Sequence, residues 1–231
     1  ADDSIHTSDQ IERQSGFPLL GAIPKWQQLE MQKISISLPW HRSLEIKPSI
    51  LSVVQWQTFR ETLDIIYKTM QLLKPSSTFK SLAITSALTG EGKSTFVLGL
   101  ALSAGRSDRR VLVIDANLRQ PTLHQLFELS NEVGLSNLLA GETERLIPHT
   151  LSFAGSNIDL LTAGPKPRDP VKLLTSRRLE ELMNLYEQNY DLILLDTPAV
   201  LGIVDAIQIA SQAKGTILVS RLDLEIGRAH V

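Results

Sequence analysis

Residues 81–104 read SLAITSALTGEGKSTFVLGLALSA. The run Ser81–Ser86 predicts a short buried strand, and the apolar pattern from Thr95 to Ala104 predicts a helix. Between them lies a loop that contains two glycines, Gly90 and Gly92. A strand, a glycine-containing loop and a helix in this order indicate a phosphate-binding α/β domain.

The loop Ala87–Thr95 has the spacing of the Walker A motif, with Ala87 in the place of the usual first glycine. Glycines let the backbone N–H groups turn inward around phosphate oxygens, at the positive end of the following helix. Lys93 supplies a charge for the terminal phosphates, and the Ser94 hydroxyl is placed to bind magnesium. The predicted cofactors are therefore ATP and Mg²⁺.

The predicted nucleotide-binding residues are Gly90, Glu91, Gly92, Lys93, Ser94 and Thr95. The alternative is an ordinary turn that carries Lys-Ser by chance, and the flanking strand and helix argue against it.

Further apolar runs predict the rest of a sheet. Residues 110–115 and 190–196 are continuous apolar runs that end in a carboxylate, as is typical of parallel strands buried on both faces. Residues 215–220 form a third run and 159–163 a shorter one, while 176–188 and 204–213 have helical patterns. Alternating strands and helices predict an α/β fold with a doubly wound, mostly parallel sheet.

Two aspartates end predicted strands, and ligands of open α/β sheets lie beyond the carboxyl ends of the strands. Asp196 has the form of a Walker B acid that holds magnesium together with Ser94. Asp115 is a further candidate magnesium ligand, and it is the candidate base for an attacking hydroxyl or water. For both aspartates the alternative is a helix cap or turn former after a strand.

Arg119 is the third predicted catalytic residue, beside Lys93 and Asp115. It follows Asp115 by four positions, and its charge is suited to neutralising phosphate in its own or a neighbouring subunit. The alternative is a solvated arginine with no partner.

The composition excludes several classes of protein. The 231 residues carry a formal net charge of −2 and no cysteine. No global field attracts nucleic acid, so no nucleic-acid partner is expected. Disulfide frameworks and thiolate chemistry are excluded. There is neither a signal peptide nor a run of about 20 apolar residues. The missing initiating methionine suggests either a trimmed N-terminus or a start inside a longer protein.

The chain is predicted to have four parts. Residues 1–50 are interrupted by four prolines and are interpreted as a linker arm. Residues 51–78 combine a helical apolar stripe with a connector, and residues 79–224 form the α/β domain. The last seven residues, 225–231, match the translation of a common short-read sequencing adapter, so we interpret them as an artefact. The underlying nucleotide sequence would test this interpretation.

Three segments together resemble the Walker A, Walker A′ and Walker B motifs of the bacterial tyrosine kinases, which are cytoplasmic domains of polysaccharide co-polymerases. They are Ser86–Thr95, Val111–Pro121 and Leu192–Pro198. The resemblance covers roughly Phe79 to Arg221, and residues 16–24 resemble the connector that follows the family's second transmembrane helix.

This resemblance implies a P-loop NTPase fold of the MinD/ParA-like group and ATP-dependent phosphorylation of tyrosine on a neighbouring subunit's tail. The implied partners are other subunits of the same protein in a ring oligomer and the polysaccharide export and polymerisation machinery. The implied localisation is the cytoplasmic face of an inner or plasma membrane, reached only through upstream segments that this chain lacks.

The sequence departs from the family pattern at several positions. Asn117 stands where the Walker A′ motif has its second aspartate, and Gln57 and Leu63 flank Arg60 in an incomplete oligomerisation motif. Thr89 and Ala199 each replace a common proline.

Two alternatives to a kinase follow from these residues. One is a partitioning-type ATPase that uses water as acceptor, although Leu88 occupies the place of that group's signature lysine. The other is a nucleotide-sensing regulator of polysaccharide chain length without kinase activity, for which Asn117 is the main support.

Overall fold

The computed structural model describes residues 16–23, 50–73, 80–201 and 204–221. The strands are β1 Ser81–Ser86, β2 Val111–Asp115, β3 His149–Phe153, β4 Ser156–Leu161, β5 Leu192–Asp196 and β6 Gly215–Val219. The helices are α1 Ile50–Gln55, α2 Gln57–Leu73, α3 Lys93–Arg106, α4 Leu123–Leu126, α5 Leu135–Ala140, α6 Pro170–Leu174, α7 Arg177–Asn189 and α8 Asp205–Gln212.

The six strands form one sheet in the order β3-β4-β2-β5-β1-β6. All neighbouring strands run parallel except the antiparallel pair β3 and β4. β1, β2 and β5 are buried along their whole length, as their continuous apolar sequences require. The predicted doubly wound, mostly parallel α/β sheet is therefore confirmed.

Each face of the sheet carries its own apolar core. Helices α1, α2 and α3 contribute to a cluster with one side of the strands, which includes Phe59, Leu63 and Val97. Helices α5 to α8 contribute to the other cluster, which includes Leu135 and Met183. Of the apolar stripe predicted within residues 51–78, the first cluster buries Val54, Phe59, Leu63, Ile66 and Met70, whereas Leu73 is exposed. The helical segment is divided into α1 and α2 at Trp56.

Helix α3 begins two residues earlier than the apolar pattern predicts, at Lys93 instead of Thr95. Gly92, with φ of 92°, is its N-cap, and the Phe96 N–H donates to the Gly92 carbonyl at 2.9 Å. The left-handed backbone at Gly92 ends the loop abruptly. Lys93 and Ser94 are consequently placed in the first turn of the helix.

Strand β3 was not predicted from the sequence. Among the described strands it pairs only with β4, at the end of the sheet, and its side chains are exposed or half-buried. An edge strand of this kind lacks the apolar run by which the central strands are recognised. β4 was predicted at residues 159–163 and lies at Ser156–Leu161.

The predicted division of the chain into four parts stays a prediction. Of the arm, residues 16–23 are described, and Leu20 and Ile23 pack against the first apolar cluster. Residues 225–231 lie outside the described ranges. In the ranges that the structure describes, no helix has the length and apolar character needed to cross a membrane.

Candidate functional site

The phosphate loop joins β1 to α3 at the carboxyl edge of the sheet. Gly90 and Gly92 have φ of 86° and 92°, in the left-handed region that glycine adopts readily. A Cβ atom built on either glycine meets no other atom within 4 Å. The loop therefore presents open space in front of its backbone, as a phosphate cradle requires.

The half-buried Glu91 side chain holds this loop through two hydrogen bonds. Its Oε2 accepts the Leu88 N–H at 2.7 Å, and its Oε1 accepts the Arg221 N–H at 3.2 Å. The Ser86 hydroxyl donates to the Leu88 carbonyl at 2.6 Å. These bonds fix the loop's shape, while the predicted contacts of Glu91 and Thr95 with nucleotide stay predictions.

Ser94 and Asp196 are brought together, as a magnesium site requires. The Ser94 hydroxyl donates to Asp196 Oδ2 at 2.6 Å. The other oxygen, Asp196 Oδ1, is buried without a hydrogen-bond partner. A buried unpaired carboxylate oxygen beside a hydroxyl is a donor set that suits Mg²⁺, which binds few protein ligands and completes its shell with phosphate and water.

The described residues contain no group of three or more His, Cys, Asp or Glu side chains that is arranged to hold a metal ion. A hydroxyl and one carboxylate are nevertheless the usual protein contribution at a magnesium–nucleotide site. The residues present at the phosphate loop therefore fit magnesium bound together with a nucleotide.

The pKa of Asp196 is raised to about 7, chiefly by burial and to a smaller extent by the nearby Asp115 carboxylate, although the Ser94 hydrogen bond and the Lys93 charge lower it. Burial likewise raises the pKa of Asp115 to about 6. A cation placed between such groups would favour their ionised forms. The two carboxylates at the edge of the sheet thus both have raised pKa values.

Asp115 and Asp196 are neighbours across β2 and β5, where their Cα atoms are in register. Asp115 is fully buried, and its Oδ2 accepts the N–H groups of Thr122 and Leu123, each at 3.1 Å. Its Oδ1 accepts the Asn117 N–H at 3.3 Å. Asp115 therefore acts as a turn former, and its roles as magnesium ligand and base stay predictions.

Asn117, which replaces the second aspartate of the motif, shapes the same loop. Its Oδ1 accepts the Gln120 N–H at 3.2 Å. An amide oxygen makes this bond as a carboxylate would, without adding a third negative charge near Asp115 and Asp196.

Arg119 is exposed but has a partner, so the alternative of a solvated arginine with no partner is wrong. Its Nε donates to Asp205 Oδ2 at 2.7 Å and its Nη2 to Asp205 Oδ1 at 3.0 Å. The predicted role of Arg119 in neutralising phosphate stays a prediction.

Two features of the site were missed in the sequence. The Thr197 hydroxyl donates to the Ile84 carbonyl at 2.9 Å, and the Thr85 hydroxyl donates to the Pro198 carbonyl at 2.9 Å, so β5 is bound to β1 directly behind the phosphate loop. The Thr-Pro that follows Asp196 was the available signal. The pairing of Arg119 with Asp205 had no signal, because 86 positions separate them.

The chain also matches known proteins in sequence and fold. A family model described as AAA domain matches residues 79–223. Tyrosine-protein kinase YwqD of Bacillus subtilis is 35% identical over 173 residues, which cover 75% of this chain and 70% of that protein. The chain belongs to the bacterial tyrosine kinase family.

Other members of the bacterial tyrosine kinase family are longer than this chain. Tyrosine-protein kinase etk of Escherichia coli K12 is 37% identical over 149 residues, which cover 64% of this chain and 20% of that protein. The solved kinase domain of Escherichia coli tyrosine kinase ETK has a TM-score of 0.79 at 29% identity, covering 96% of this chain and 84% of that one.

The predicted fold group is confirmed as well. The septum site-determining protein MinD of Pyrococcus horikoshii, solved in complex with Mg-ADP, matches with a TM-score of 0.51 at 27% identity, over 61% of this chain and 57% of that chain. The bacterial tyrosine kinase domain and MinD therefore share a P-loop fold.

Proposed function

We propose that this chain is the catalytic region of an ATP-dependent protein-tyrosine autokinase that regulates the chain length and export of capsular polysaccharide or exopolysaccharide. The observation that carries the proposal is the Ser94 hydroxyl held at 2.6 Å from Asp196, whose other oxygen is buried and unpaired. A magnesium–nucleotide site on a tyrosine kinase family domain supports phosphoryl transfer from ATP.

The residues of the site divide the chemistry among them. Lys93 and the N–H groups of the phosphate loop bind the phosphates. Magnesium, held by Ser94 and Asp196 with Asp115 beside them, would neutralise charge on the phosphate oxygens. Arg119 supplies a further positive charge for the group in transfer.

Asp115 is the proposed base. The acceptor tyrosine hydroxyl gives its proton to the Asp115 carboxylate as its oxygen bonds to the γ-phosphorus of ATP. The bond from that phosphorus to the bridging oxygen breaks, and ADP leaves. Burial raises the pKa of Asp115 to about 6, which brings its proton affinity closer to that required of a base near neutral pH.

The proposed partners are other copies of the same protein, which present their tyrosines in a ring oligomer, and the polysaccharide export and polymerisation machinery. No nucleic-acid partner is proposed, because the net charge is −2. The proposed location is the cytoplasmic side of an inner or plasma membrane, to which upstream segments of the whole protein would attach the domain.

The test is an incubation with labelled ATP, magnesium and a tyrosine-rich peptide, in which phosphotyrosine and free phosphate are measured separately. We expect the wild-type chain to produce phosphotyrosine. Lys93→Met should lower the rate of its formation by about hundredfold or more, because the positive charge that Lys93 places beside the terminal phosphates is removed. Lys68→Met, which changes an exposed lysine on α2, is the matched control and should retain activity.

Two results would contradict the kinase. Phosphate release without phosphotyrosine would identify an ATPase, and nucleotide binding without either product would identify a regulator. The same assay on the full-length protein accompanies each measurement, so that a missing acceptor or partner segment is not mistaken for a missing activity.

A further inference from the structure

The ion pair between Arg119 and Asp205 is strongly asymmetric in its exposure. The Asp205 side chain is 1% exposed, whereas that of Arg119 is 42% exposed. One end of the pair is therefore fixed in the protein interior, and the other reaches the surface at the carboxyl edge of the sheet.

The two hydrogen bonds fix the plane of the guanidinium. Both carboxylate oxygens of Asp205 are used, one by Nε and one by Nη2 of Arg119. A guanidinium has five N–H groups in a planar fork, and a bidentate pair of this kind uses two of them. Among the described residues Arg119 makes no other side-chain hydrogen bond, so its remaining donors, on the Nη1 side, are left for an anionic group.

The pair joins the loops that surround the candidate site. Arg119 lies in the loop after β2, and Asp205 is the first residue of α8, in the connection that leaves β5. That connection also contacts the phosphate loop, because the Leu201 N–H donates to the Ala87 carbonyl at 3.3 Å. Loops that follow adjacent parallel strands meet where the ligand binds.

The burial of the Asp205 carboxylate depends on its partner. Burying an ionised aspartate is costly unless it is paired, and removing one partner of such a pair leaves an uncompensated charge. The ion pair with Arg119 offsets this cost for Asp205. Its place in the first turn of α8 also offsets it, because the helix dipole favours a negative charge there. The orientation of Arg119 is thus tied to a residue that has almost no freedom to move.

We infer that Asp205 is a positioning residue for phosphoryl transfer, which holds the Arg119 guanidinium with its free donors directed at the phosphoryl group of ATP. This inference rests on the proposed function, because it assigns Arg119 to the group in transfer. A solely structural ion pair would connect the β2 loop to α8 and would contribute only to stability.

The experiment compares Asp205→Asn, Arg119→Ala and the double variant in three measurements. These are kcat and KM for tyrosine phosphorylation, the ratio of affinities for a non-hydrolysable ATP analogue and ADP with magnesium, and urea unfolding. The double variant carries no buried unpaired charge, so it keeps the test valid if Arg119→Ala fails to fold. Asp64→Asn, which breaks the ion pair with Arg106 between α2 and α3, is the matched control.

We expect Asp205→Asn to lower kcat by about ten- to hundredfold, the range of one charge-assisted hydrogen bond, with little change in KM for ATP. The preference for the ATP analogue over ADP should fall with it, and the double variant should be no worse than Arg119→Ala. Asp64→Asn should change unfolding alone.

The inference is overturned if Asp205→Asn lowers only the free energy of unfolding, or if its loss of kcat adds fully to that of Arg119→Ala. The affinity ratio separates this outcome from failure of the proposed function. The kinase is refuted if neither the wild-type chain nor the full-length protein makes phosphotyrosine, yet the ratio still reports whether Asp205 directs Arg119 to the terminal phosphate.

Discussion

Asp196 shows how burying one carboxylate at the candidate site affects stability. Its pKa is raised from 3.8 to about 7, chiefly by burial, so between these values the folded chain holds a proton that the unfolded chain has lost. Raising the pH through 7 therefore lowers the free energy of unfolding. A bound cation would reverse this by favouring the ionised carboxylate.

The first prediction is that the metal-free protein loses about 1 kcal/mol of stability between pH 6 and pH 8. Urea unfolding in EDTA would measure this slope, and Asp196→Asn should reduce it to the smaller part that comes from Asp115, whose pKa is raised to about 6. Asp191→Asn is the control, because Arg110 lowers the pKa of Asp191 to about 2 and the group stays ionised throughout this window. An unchanged slope in Asp196→Asn would refute the assignment.

The second prediction separates the two effects of a methyl group at a glycine. Gly92 and Gly155 have φ of 92° and 75°, and a Cβ on either meets no atom within 4 Å. Gly92→Ala and Gly155→Ala should each cost about 1–2 kcal/mol in urea unfolding, from backbone strain. Only Gly92→Ala should also weaken nucleotide binding, measured by titration, because its methyl group enters the phosphate cradle. Equal nucleotide affinities in the two variants would contradict the assigned cradle.

Helix α3 connects the site to the core, because it begins in the phosphate loop and packs against α2. Gly99 in α3 allows this close approach, since a Cβ there would lie 2.5 Å from Phe59 Cε1 and 3.1 Å from Leu63 Cγ. Asp64 strengthens the same contact by accepting a hydrogen bond from Arg106 at 2.6 Å. These contacts lie six or more residues after Lys93, so they contribute to the stability of the fold.

The third prediction tests this packing. Gly99→Ala should destabilise the fold by about 1–3 kcal/mol through overpacking, although alanine is intrinsically favoured over glycine within a helix. In a Phe59→Leu background the same change should cost much less, because the aromatic ring is removed. Urea unfolding of the four proteins gives the coupling energy. Additive effects would show that Gly99 and Phe59 do not limit each other.

At the scale of the whole molecule, folding itself creates the site. Lys93 and Ser94 follow β1, Asp115 ends β2 and Asp196 ends β5, so the unfolded chain contains no assembled nucleotide site. A ligand that binds only the folded state stabilises that state by mass action.

The fourth prediction is that ATP with magnesium raises the melting temperature, by an amount that grows with ligand concentration. At about 100 times its dissociation constant the ligand should contribute about 2.7 kcal/mol. The shift should shrink strongly in EDTA and in Lys93→Met, whereas Lys68→Met should behave as wild type. An equal shift in Lys93→Met would place the nucleotide elsewhere.

The sequence by itself determined the central strands, the phosphate loop, the carboxylates at the strand ends and the family. These features are local, because burial on both faces requires continuous apolar runs, and phosphate binding requires glycines and a lysine at close spacing. The residues of the candidate nucleotide site could therefore be named before their geometry was known.

Only the tertiary structure decided the strand order, the β3 edge and the partners of the buried charges. Asp115 accepts N–H groups seven and eight positions ahead, and Arg119 pairs with a carboxylate 86 positions away. Such contacts depend on how the strands and their crossover helices pack, which no local pattern of residues records. The sequence thus identifies the phosphate loop, and the fold determines which charges surround it.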